Sequence, residues 1–232
     1  MSPSRLIVLG LLASVAAPAA AAALSMRLET WNAQRLPKVE RATVWEAIEV
    51  DGRPVLQARA EAAASGLTRP LDLPAEGTTL HWRWSVSNTV AAGRLARKDS
   101  DDFAARLYVL FDPPPSHLSF ADKAKLALGK RLFGDSLPRA ALCYVWAHQE
   151  PVGTLAPNAY TDRVRMIVVD QGPPTDGEDW RAHQRDLAAD YVAAFGHAPA
   201  PRVIGLSLMS DTDNTGASVT ARYADLRIVT TP

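Results

Sequence analysis

The chain has 232 residues, with 25 basic and 25 acidic side chains and a formal net charge of zero. That balance excludes the whole-molecule positive field with which many proteins hold nucleic acid or acidic membranes. A single cysteine, Cys143, excludes an internal disulfide, so the core has to hold the fold.

At the N-terminus, Arg5 precedes an apolar run over residues 6–17 and a tract of small residues ending near Ala23. This pattern reads as a cleaved secretory signal peptide over residues 1–23. The run is short for a membrane span and no second long apolar segment follows. The expectation is therefore one periplasmic or secreted domain over residues 24–232, with no integral membrane segment. Cys143 lies far from the cleavage point, where a lipid anchor would need it, and is expected to be a small buried hydrophobe.

The strand signals begin with residues 43–50 and 53–60, joined by Asp51 and Gly52 as a tight hairpin turn. Ser65 and Gly66 read as a break, residues 67–73 as a weak strand and residues 78–86 as a strong one. In HWRWSV, Leu80, Trp82, Trp84 and Val86 share one face while His81, Arg83 and Ser85 share the other. A loop at 88–98 leads into DSDDFAARLYVLF, residues 99–111, around which the rest is organised. Here Phe103, Ala105, Leu107, Val109 and Phe111 alternate with Ala104, Arg106, Tyr108 and Leu110. An ionised arginine at low dielectric needs a carboxylate or solvent, so Arg106 is expected to meet an acidic group from a neighbouring strand or loop.

Pro113, Pro114 and Pro115 end that strand. An inserted helix is predicted from Ser119 to about Gly134, its Lys123, Lys125, Lys130 and Arg131 forming a solvated face. Strands follow at 142–148 and 164–170. A second helix is predicted over residues 180–195, with Thr175 and Glu178 as a capping box and Gly196 as its stop. Two closing strands, 202–209 and 219–229, are joined by SDTDNTGAS. Many short strands separated by turn signals predict an all-β, antiparallel sandwich, jelly-roll-like, with two accessory helices.

Three polar groupings could carry chemistry. Asp211, Asp213 and Asn214 before Gly216 resemble the first half of a calcium loop, with Asp99, Asp101 or Asp102 as distant co-ligands. Arg222 stands where an EF-hand needs its bidentate glutamate, which excludes that motif, and hydrogen-bonded turns alone would account for these residue types. No cofactor is otherwise expected. Asp186 and Asp190, four apart on the predicted helix, would repel unless a basic group, a metal or an acid and base role compensates. Together with Asp101 and Asp102 they are the catalytic candidates should the protein be an enzyme. Tyr144, Trp146 and His148 share a strand face and, with His81, Arg83, Ser85, Arg106 and Tyr108, could form a sugar-binding platform, although core packing is the commoner use of such a stripe. Nucleophile-elbow, phosphate-loop, dinucleotide and paired-histidine zinc patterns are absent.

The ordered pieces HWRWSV, KDSDDFAARLYVLF, YVWA, RDLAADYVAAFG, MSDTDNTG and ARYADLRI together resemble the bacterial domain-of-unknown-function family 3047 (DUF3047). The resemblance implies an exported single-domain protein and supplies no reaction. The last piece is also similar to the final strand of galactose-binding-like sandwiches. The leading expectation is a non-catalytic sandwich that binds carbohydrate or another envelope component. The alternatives are a polysaccharide hydrolase or lyase with paired aspartates, and a structural or protein-interaction domain.

Overall fold

The computed structural model describes residues 20–118, 139–175 and 179–231. In chain order its strands are β1 (Ala20–Ala23), β2 (Asn32–Arg35), β3 (Val44–Val50), β4 (Arg53–Glu61), β5 (Ala64–Leu73), β6 (Thr78–Val86) and β7 (Arg106–Phe111). They continue with β8 (Ala140–Ala147), β9 (Leu155–Pro157), β10 (Val164–Gln171), β11 (Arg181–Asp186), β12 (Val203–Asp211) and β13 (Ser218–Thr230), and one helix, α1 (Leu187–Phe195), follows β11. The six-stranded sheet runs β11-β6-β13-β4-β3, with β1 also on β13. The seven-stranded sheet runs β2-β5-β12-β7-β8-β10-β9. The two form a β-sandwich, as the strand pattern predicts.

The main core lies between the sheets. Leu80, Trp82, Trp84 and Val86 of β6 face Leu107, Val109 and Phe111 of β7 and Leu142, Tyr144 and Trp146 of β8 within one apolar cluster. The rings meet across the interface, with Trp82 and Tyr144 stacked at 5.1 Å and Trp84 and Trp146 at 6.3 Å. Each such ring removes about 150–250 Å² from water, so these contacts dominate the apolar driving force. The Tyr223 hydroxyl of β13 crosses between the sheets, accepting from the Arg106 N–H at 3.1 Å and donating to the Met209 carbonyl at 2.7 Å. A second cluster, including Leu95, Phe103, Cys143, Val145 and Met166, covers the other face of the seven-stranded sheet.

Several expectations are corrected. Residues 181–186 are strand rather than helix. Arg181, His183 and Arg185 pair with Trp84, Trp82 and Leu80 of β6, and this cross-strand register overrides the local helical pattern. The helix starts only at Leu187, where Asp186 caps it by accepting from the Ala189 N–H at 2.9 Å, and it ends at Gly196 with φ of 72°. Ser65 and Gly66 do not break a strand; they lie inside β5, where a Cβ on Gly66 would stand 2.8 Å from the Leu208 carbonyl oxygen. Phe103 leaves the expected alternation and packs with the Arg106 side, because the regular strand begins at Arg106. The β8–β10 pair is parallel, an exception to the antiparallel pattern. The Asp51-Gly52 hairpin is as expected, both residues taking positive φ. The predicted helix from Ser119, Glu178 of the capping box and residues 1–19 of the leader lie outside the described residues.

Candidate functional site

Arg106 stands at the head of β7 with 2% of its surface exposed. Its guanidinium donates to the Asp101 carbonyl, to Asp101 Oδ1 at 3.2 Å and to the Tyr108 hydroxyl at 3.2 Å, and pairs with Asp211 Oδ2 at 3.1 Å. Beneath it lies the Phe103 ring, 4.8 Å away. Burial opposes the charge, but Asp101 and Asp211 outweigh it and hold the Arg106 pKa well above its ordinary value. Asp101 Oδ2 accepts from Asn158 Nδ2 at 2.9 Å. Asp102 is fully buried and stitched to the β12–β13 loop: Oδ2 accepts from the Thr215 N–H and hydroxyl, both at 2.6 Å, and Oδ1 from the Asn214 N–H at 3.3 Å. Asp213 stands at the exposed rim. Two acidic segments remote in sequence thus converge on one arginine.

A second polar seam joins the sheets where β11 meets β10. A bulge in β10 between Val168 and Asp170 places the Asp170 carboxylate between the sheets. It accepts from Trp84 Nε1 at 2.6 Å, lies 2.7 Å from His183 Nε2 and takes Arg181 at 3.4 Å. Arg181 also covers the Trp146 ring at 4.1 Å. Further along, Asp190 accepts from Arg185 and from the Tyr144 hydroxyl, the latter at 2.7 Å.

The third feature is open to solvent. Outside the six-stranded sheet, His81 and Arg83 of β6, Ala182 and Gln184 of β11 and Asp225 and Arg227 of β13 line a groove of about 610 Å³, walled by Leu24 and Pro54. A bulge in β13 between Ala224 and Arg227 gives Asp225 a φ of 54° and turns it outward. There it lies 3.5 Å from Arg83 and 3.8 Å from Arg53. Arg83 also packs over Trp180 at 5.4 Å, while Arg227 lies 3.3 Å from His81 Nδ1. Burial first and Arg227 second push the His81 pKa down, so the ring is neutral at neutral pH and presents one donor and one acceptor.

A family model described as a protein of unknown function (DUF3047) matches residues 29–227. The chain belongs to the DUF3047 family. No curated protein matches it. Among solved structures it is similar to a native family 12 xyloglucanase from Bacillus licheniformis at 8% identity and TM-score 0.47, covering 93% of this chain and 100% of that one. It is also similar to the xyloglucanase domain of NopAA from Sinorhizobium fredii at 8% identity and TM-score 0.44, covering 94% and 100%. A third match is the family 30 carbohydrate-binding module of a Clostridium thermocellum cellulosomal cellulase, at 10% identity and TM-score 0.38, covering 86% and 90%.

In this DUF3047 chain the sequence-nominated residues divide into groups. Asp101, Asp102, Arg106, Tyr108, Asp211, Asp213 and Asn214 do meet, at one end of the seven-stranded sheet. Arg83 does not join them; it lies on the outer face of the opposite sheet. Tyr144 and Trp146 are 0% and 1% exposed and point into the core, so they form no platform. Asp186 and Asp190 do not face each other as a repelling pair, since one caps α1 and the other is held by Arg185 and Tyr144. Cys143 is fully buried, and burial first pushes its thiol up to about 12, which leaves no thiolate for chemistry. Sequence reasoning passed over Asp170, His183, Gln184, Asp225 and Arg227. The alternation Arg181, His183, Arg185 carries the signal for the seam, although the same residues also fit a helical period.

Proposed function

We propose that this DUF3047 protein is an exported, non-catalytic sandwich domain that binds carbohydrate, or a similarly hydroxyl-rich envelope component, in the groove outside its six-stranded sheet. The observation that carries this reading is the bulge that turns Asp225 outward between Arg83 and Arg53, in the same groove as His81, Gln184 and Arg227. Amide, imidazole, carboxylate and guanidinium groups on three adjacent strands give fixed donors and acceptors for the polar edges of a sugar ring, and Leu24 and Pro54 give apolar contact. Arg83 and Arg227 outnumber Asp225 in the lining, which favours a glycan bearing carboxylates. Arg5 and the apolar run over residues 6–17 support export, with cleavage ahead of β1, whose Ala20–Ala23 pair with β13 beside the groove.

Affinity electrophoresis through gels cast with neutral and acidic polysaccharides tests the assignment. The protein should be retarded by an acidic polymer, and Arg83→Ala and Arg227→Ala should each weaken retardation about tenfold while leaving the thermal midpoint within about 2 °C. Unaltered mobility in every polymer overturns the reading, and a cleared track replaces it with hydrolysis.

A further inference from the structure

The Asp102, Asp211 and Asp213 carboxylates each bring an oxygen to within 4.8 Å of the others, a convergence of three acidic groups that no other set among the described residues makes. A second observation points to an occupant. Asp211 is 5% exposed and one of its oxygens, Oδ1, has no hydrogen-bond partner among the described residues, although Oδ2 is paired with Arg106. A buried carboxylate oxygen without a donor is strongly disfavoured. Nor does the surrounding charge supply one. Arg106 is already committed to Asp101 and Asp211 Oδ2, while Asp102 and Asp213 form no ion pair among the described residues. Lys98 is turned over the Tyr160 ring at 5.7 Å. Asp102 and Asp211 are both buried, so their charges repel with little water to screen them.

We propose that Asp102, Asp211 and Asp213 hold a calcium ion, which fastens the loop before β7 to the loop between β12 and β13. An all-oxygen donor set selects a hard cation, and it offers no imidazole or thiolate to zinc or copper. Calcium holds oxygens at about 2.3–2.6 Å, so opposite ligands stand about 5 Å apart, whereas magnesium draws them to about 4 Å in a strict octahedron. Three protein carboxylates favour calcium, because magnesium keeps several of its waters and is bound through only one or two. Asp213 supplies the entry side at the rim, and Asp102 is preset by Thr215 and Asn214. The site lies at one end of the seven-stranded sheet and the groove outside the six-stranded one, so either assignment can fail without the other.

The test is a calcium titration of the EDTA-stripped full chain, read by calorimetry and by thermal midpoint, with magnesium as comparison. Calcium should raise the midpoint and magnesium should do so weakly. Asp213→Asn, at the rim of the site, should shift the calcium dependence at least about tenfold higher in concentration, while relief of the repulsion leaves the calcium-free midpoint no lower than the parent's. Asp72→Asn, which removes an exposed carboxylate paired with Arg202, should leave the dependence unchanged. No calcium response up to about 10 mM, about tenfold above the dissociation constants of the weakest extracellular calcium modules, overturns the proposal. So does an equal response to magnesium, or an Asp213→Asn response identical to that of the parent. Asp211→Asn provides a second ligand variant with the same expected loss.

Discussion

Arg106→Ala should lower the unfolding free energy by about 3–5 kcal/mol, the range found when one partner of a buried ion pair is removed. The variant leaves Asp101 and Asp211 facing each other at low dielectric, and it strips the donor from the Asp101 carbonyl and from Tyr108. Packing over Phe103 is lost as well. Since small domains are stable by only about 5–15 kcal/mol, the loss takes a large share of the total. Urea unfolding at neutral pH measures it. Arg106→Lys should fall between parent and alanine variant, because a point charge cannot reproduce a fork of donors to three oxygens. An alanine variant with the parent's midpoint would mean that the acidic loops rearrange freely around the gap. That outcome would remove the structural role assigned here to the arginine.

The second large effect belongs to the seam. Asp170→Ala should cost about 2–4 kcal/mol, since the Trp84 indole N–H and His183 lose the acceptor that they share and both sit between the sheets. Asp170→Asn keeps one accepting oxygen in the same shape and should recover part of the loss. Thermal unfolding followed by tryptophan fluorescence is suited to the question, because Trp82, Trp84 and Trp146 surround the site. An Asp170→Ala protein as stable as the parent would show that the bulge in β10 is maintained without this carboxylate.

Alternation made most of the sandwich legible. HWRWSV announced a strand with one aromatic face, and β6 has those bounds and that buried face. The need of Arg106 for a carboxylate was equally readable, because the desolvation of a guanidinium does not depend on where the partner comes from. The same alternation misled at Tyr144 and Trp146. A period of two says that residues share a face, and only the opposing sheet decides whether that face is covered; here β6 stacks on it. The groove was hidden for another reason. Asp225 faces outward because β13 carries a bulge, and a one-residue register shift depends on what both flanking strands require. RAHQRD was ambiguous, being polar enough for a helix face and alternating enough for a strand, and its pairing with β6 decided it.

The strand order also sets the sequence in which the molecule can be assembled. β12 and β13 are the last strands in the chain, yet β12 is clasped between β5 and β7, and β13 between β6 and β4. The β3–β4 hairpin can close locally, but Thr68 must await Ser207, 139 residues further on, before its row of the ladder exists. Such remote pairings make folding slow, because chain entropy is surrendered before the contacts that repay it are in reach. A nascent chain that stops before Val203 holds strands with unclaimed edges and no finished sheet. Each sheet is therefore complete only once one of these two late strands has taken its place between its neighbours.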